Sequence, residues 1–251
     1  MPDNKELDEK VAVVTGAARN IGRAIALDLA AAGVAVVVNA RTSGTEADAL
    51  AGEIAADGGR ALAFVADVTD EAAVGRMAAA AVERFGRIDI LVNNAAARPA
   101  QPFGEMTLAE WRDVLATILD GAFICARACL PQLRASGAAA IVNIGGLTAH
   151  KGALGRAHVV TAKAGLVGLT RALAHDLAEH KVTVNCVSPG RIATTRAHPL
   201  PPPAHDLHRT LSGDSGTPAD IAATVRFLCG PGARYITGQT IHVNGGAYLG
   251  G

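Results

Sequence analysis

The chain has 251 residues, half of them hydrophobic and 18% charged, and its 23 basic and 23 acidic side chains cancel to a formal net charge of zero. This suits one α/β domain spanning 1–251 with a sizeable buried core. The charge balance speaks against nucleic acid, which needs clustered Lys and Arg. No apolar run approaches the ~20 residues of a bilayer span, and the charged start MPDNKELDEK has no secretory apolar core, so a cytoplasmic protein is expected.

The first apolar run covers 11–15, and residues 21–32 follow with helical periodicity. A β-branched run at 35–39 precedes a helix at 45–57. Further strands are predicted at 61–65, 89–93, 139–144, 182–187 and 240–243. Helical stretches lie at 71–85, 108–134, 159–179 and 219–229. Continuous apolar strands alternating with helices predict a Rossmann-type, doubly wound parallel sheet covered on both faces. In such a sheet ligands bind beyond the carboxyl ends of the strands. The segment near 191–215 is expected to form a substrate loop; its proline-rich centre, 198–205, is barred from helix and central strand.

Cys125, Cys129, Cys186 and Cys229 form no CxxC pair, so buried free thiols in a reducing compartment are expected. His175 and His180 sit with Asp176 and Glu179 at a helix end and read as a solvated face. No metal site is expected.

The first strand runs directly into TGAARNIG at 15–22. Gly16 permits a tight turn, Gly22 allows close helix packing, and the helix start offers N–H groups to a pyrophosphate. These residues resemble the TGxxxGxG loop of the short-chain dehydrogenase/reductase family. Asn93-Asn94-Ala95-Ala96 resembles that family's NNAG, 185–190 its N-x-V-x-P-G segment, and 235–246 its C-terminal segment. The resemblance covers nearly the whole chain. Asn20 replaces the middle glycine of the loop, where its tolerance of left-handed backbone suits the turn. Ala96 replaces the glycine of NNAG.

The second strand ends on Ala40-Arg41, with no acidic residue to receive the ribose hydroxyls of NAD. Arg41, helped by Arg19, is read as clamping the 2′-phosphate of NADP(H). The resemblance further implies dinucleotide contacts from Asn20, Ile21, Asp67, Val68, Asn94, Pro189, Gly190, Ile192, Thr194 and Lys163. It also implies a homotetramer or homodimer formed through long helices near 121–135 and 159–178.

The family's catalytic set is Asn-Ser-Tyr-Lys. Here Val159-Val-Thr-Ala-Lys163 stands for Y-x-x-x-K, Gly146 for the Ser and Ile118 for the Asn, so only Lys163 survives. Hydride addition to a ketone leaves an alkoxide that needs a proton. His158, beside the missing Tyr, and His150, after Gly146, are candidate donors. The leading expectation is an NADP(H)-dependent oxidoreductase with an altered proton-transfer site, acting on an unidentified small molecule. A non-catalytic NADP(H)-binding sensor or partner subunit, and a non-redox lyase or isomerase, are the alternatives.

Overall fold

A computed structural model describes residues 7–195 and 209–250. β1 (Val11–Val14), β2 (Ala35–Ala40), β3 (Arg60–Val65), β4 (Ile90–Asn93), β5 (Ala140–Ile144), β6 (Thr183–Pro189) and β7 (Thr240–Val243) form one sheet. Their order is β3-β2-β1-β4-β5-β6-β7, and every pairing is parallel. Alternate residues of each strand point to opposite faces. On β1, Ala12 and Val14 join the core under α1 (Asn20–Ala31), α2 (Gly44–Ala56) and α8 (Pro218–Cys229). Val13 points the other way, into the core under α3 (Glu71–Phe85), α5 (Gly121–Ala135) and α7 (Ala157–Asp176). This is the expected doubly wound sheet.

Local chemistry sets the helix ends. Asp70 caps α3 by accepting from Ala73 N at 3.0 Å, and Gly86 closes it at φ +84°. Capping boxes start α4 (Leu108–Leu115) at Thr107/Glu110 and α8 at Thr217/Asp220.

Three details depart from the sequence reading. The helix expected over 108–134 is α4, a π-helical turn at Ala116–Asp120, and α5. The joined run Leu108–Ala135 is also long and apolar enough to cross a membrane by length and composition, against the expectation that nothing approached such a span. Val114 and Ile118 pack in one apolar cluster with α7, and Cys125, Cys129 and Leu133 pack in another beneath the sheet. Those contacts account for the buried part of the run, 39% of its most apolar window. Lastly, a four-residue helix, α6 (Thr148–Lys151), follows β5. The proline-rich centre at 198–205 lies outside the described residues.

Candidate active site

The strand order reverses between β1 and β4, and the crevice beyond their carboxyl ends is where such sheets take a ligand. The loop after β1 is shaped for close approach. Gly16 has φ +59°, and a Cβ on Gly22 would lie 2.3 Å from Gly16 O. The cap of α1, Arg19, makes no side-chain hydrogen bond to the helix, leaving the first amides of α1 for an anion. Asn94 fastens the loop from the side. Its Nδ2 donates to Thr15 O (2.9 Å) and Gly16 O (3.0 Å), and its backbone N donates to Thr15 Oγ1 (2.9 Å). The structure therefore gives Asn94 a supporting role behind the loop.

At the end of β2 Ala40 is buried, and no carboxylate stands there. Arg41 is exposed beside it. Arg19 reaches across to the start of α2, donating to Ser43 Oγ (2.9 Å) and pairing with Glu46 (2.9 Å). Both partners of that pair are well exposed, so the pair is weak and readily released. After β3, Asp67 accepts from Thr69 N (2.9 Å) and Thr69 Oγ1 (2.8 Å), and buried Val68 lies against Gly121.

The other half of the crevice is built by the chain leaving β6. Pro189 is the last residue of the strand. Gly190 is pressed on Asn244, where a Cβ would come within 2.6 Å of Asn244 Cα. Ile192 is buried and bridges Gly216. Thr194 Oγ1 is buried with no hydrogen-bond partner among the described residues. The glycine cradle, the uncapped helix start and this orphaned hydroxyl together fit a nicotinamide dinucleotide.

Lys163 lies on α7 and is 4% exposed, with Nζ donating to Ile144 O at the end of β5. Its pKa is lowered from the ordinary 10.5 to about 7, by burial first and by the Arg98 guanidinium second, with the Cys186 thiol opposing both. Arg98 stands on the loop after β4, which is joined to the loop before α7 by Gln101 N to Gly155 O (2.8 Å).

The replaced catalytic positions are filled in different ways. Val159 and Ile118 belong to one apolar cluster with Val114, Ala122, Ala162 and Leu166, and Ile118 sits inside the π-turn. Gly146 is open: a Cβ there would meet only Thr148 Oγ1, at 3.9 Å.

The two histidines are not brought to Lys163 in the way the Tyr position is. At about 100° per residue, Val159 lies about 40° from Lys163 around α7, and His158 about 140°. His158 is fully buried, with neither ring nitrogen bonded among the described residues. His150 sits on α6 in a ring cluster, 4.6 Å from His242 and stacked at 5.3 Å on Tyr248. Burial, then His242 and Arg171, lowers its pKa, so it is neutral near pH 7 and a poor proton donor.

Sequence reading missed several supports. Asn39, buried on β2, accepts from Gly16 N at 3.3 Å and donates to Ala66 O at 3.0 Å, holding the glycine loop against β3. Asn93 Nδ2 donates to Asn143 Oδ1, and Asn143 Nδ2 to Thr170 Oγ1, both at 2.9 Å, linking β4, β5 and α7. An Asn inside an apolar strand was the available signal. Arg98 and Cys186, beside Lys163, carried none.

The family model described as enoyl-(acyl carrier protein) reductase matches residues 16–248. The chain is 41% identical to a 3-oxoacyl-(acyl-carrier-protein) reductase of Staphylococcus epidermidis, covering 96% of this chain and 99% of the relative. It is 38% identical to that of Vibrio cholerae, over 97% and 99%. A short-chain dehydrogenase from Burkholderia cenocepacia, solved in complex with NADP, superposes with a TM-score of 0.90 at 35% identity, covering 96% and 99% of the two chains. A short-chain dehydrogenase/reductase variant from Serratia marcescens gives a TM-score of 0.91 at 34% identity, over 97% and 100%.

Proposed function

The chain belongs to the short-chain dehydrogenase/reductase family and is an oxidoreductase using a nicotinamide dinucleotide, and we propose that it prefers NADP(H) and acts on a small molecule without a tyrosine proton donor. The observation that carries the cofactor preference is the corner where β2 ends without a carboxylate, Arg41 is exposed, and Arg19 reaches Ser43 at the start of α2. Arg41, and Arg19 once released from its exposed pair with Glu46, would hold the 2′-phosphate. The α1 amides would hold the pyrophosphate, and Pro189, Ile192 and Thr194 would border the nicotinamide. When bound, the dinucleotide supplies or accepts a hydride.

This chain's residues then manage the proton. Lys163, with a pKa near 7, holds a proton at Nζ at the mildly acidic end of the physiological range and releases it above. It is the group we assign to proton handling, with Arg98 favouring negative charge that develops nearby. His158 and His150 are set aside from that task by helix geometry and by a neutral ring. Four buried free thiols suit a reducing, cytoplasmic setting.

Fluorescence titration with NADPH and NADH tests the reading. NADPH is expected to bind about 10–100-fold tighter, and Arg41→Ala to remove most of that margin. Equal affinities, or a preference for NADH, would overturn the NADP(H) assignment.

A further inference from the structure

We propose that Asn20 is a clamp that fastens the strap 191–195 to the dinucleotide loop and so governs how fast the dinucleotide exchanges. The proposal rests on the dinucleotide reading above, and names a role for a residue at which the chain departs from its family's glycine.

Asn20 opens α1 at φ +52°, in the left-handed region. From there its carboxamide spans 175 positions of sequence to Thr195. Nδ2 donates to Thr195 O at 3.1 Å, while Oδ1 accepts from Thr195 N at 2.9 Å and from Thr195 Oγ1 at 3.2 Å. The amide thus pairs with one residue's N–H and C=O together, as a neighbouring strand would. A glycine at this place offers none of these bonds.

The strap is held at its other end too. Ala193 N donates to Gly216 O (2.8 Å), Gly216 N donates to Arg191 O (2.9 Å), and Ile192 is buried. Between the two anchors lies Thr194, whose hydroxyl is buried and has no hydrogen-bond partner among the described residues. A strap fixed on both sides, with an unsatisfied hydroxyl turned inward, is arranged to lie against a polar ligand at the α1 N-terminus. The outer anchor is solvent-exposed and made of a few ordinary hydrogen bonds, so it opens and closes without disturbing the core.

The test is stopped-flow displacement of bound NADPH from the whole protein, with wild type, Asn20→Gly and Asn20→Ala compared. Glycine adopts φ +52° without strain, whereas alanine is strained there, so the two differ in stability but share the loss of the carboxamide. The clamp predicts that both variants release NADPH about tenfold faster than wild type and at similar rates. A wild-type rate in Asn20→Gly, with a change confined to the less stable Asn20→Ala, would assign Asn20 a purely structural role and overturn the proposal. Failure of the wild type to bind NADPH or NADH would overturn the dinucleotide reading, and the clamp with it.

Discussion

The proton handling proposed for this site rests on one side chain, Lys163. A lysine in an apolar setting titrates low because burial disfavours its charged form. Its folded pKa of about 7 lies well below the ordinary 10.5. Between those values the unfolded chain holds a proton that the folded chain does not, so stability rises with pH across that window, by up to ~1.4 kcal/mol per unit. Below pH 7 the cost of charging is fully present. Lys163→Met should therefore flatten the stability–pH curve between pH 7 and 10, and be the more stable form at pH 6.5. Urea unfolding across that range checks it; parallel curves would mean that the ammonium keeps its charge when buried. The replaced Ser and Tyr positions give a second prediction. Gly146 has room for a serine side chain, whereas Val159 is packed among Val114, Ile118 and Leu166. Gly146→Ser should be nearly neutral for stability, and Val159→Tyr should cost about 1–3 kcal/mol by overpacking. Together they should raise NADPH-dependent carbonyl reduction by about 10²–10⁴, the usual worth of a general acid. An unchanged rate, followed by NADPH absorbance, would mean that a donor already present suffices.

At the scale of elements, the buried amides decide how α7 meets the sheet. Asn143 of β5 joins Asn93 of β4 to Thr170 of α7, so α7 is locked in rotation seven residues beyond Lys163. Asn143→Ala would leave Asn93 Nδ2 without its acceptor, at a cost of about 2–3 kcal/mol. It should also weaken NADPH binding more than an apolar change of the same stability cost elsewhere in β5, as paired unfolding and titration experiments would show. This contact illustrates what was legible in the sequence. The strands and the loop at 15–22 could be read because apolar runs and glycine spacing are local signals that the fold must obey. The short α6 was missed because four residues between Gly146 and Gly152 give no periodicity to read. The π-turn was missed because 116–120 continues the apolar pattern of an ordinary helix. The Asn93–Asn143–Thr170 relay and the Asn20–Thr195 clamp join residues far apart in sequence, which no local pattern specifies. The same limit applied to the histidines: adjacency of His158 to the Tyr position suggested a shared direction, and helix geometry gives it a different one.

At the scale of the whole molecule, one more surface is left uncovered among the described residues. On α7, Ala164, Gly168 and Ala172 recur every four residues and face outward, while Val159, Lys163, Leu166 and Thr170 face inward. On α5, on the same side of the sheet, Phe123 is 50% exposed. Small side chains at this spacing let a second helix approach closely, and an exposed aromatic ring beside them gains from being covered. We propose that this face joins copies of the chain, through α5 and α7, into a homo-oligomer. Gly168 separates assembly from folding, because a Cβ there meets nothing within 4 Å among the described residues. Gly168→Arg should leave the fold intact, and even favour the helix by up to about 1 kcal/mol. In the assembly the same side chain would hold the two copies apart. Light scattering should then show a dimer or tetramer for wild type and a smaller species for the variant. A wild-type monomer would remove this role for the α7 face, and an unchanged assembly in Gly168→Arg would move the interface elsewhere.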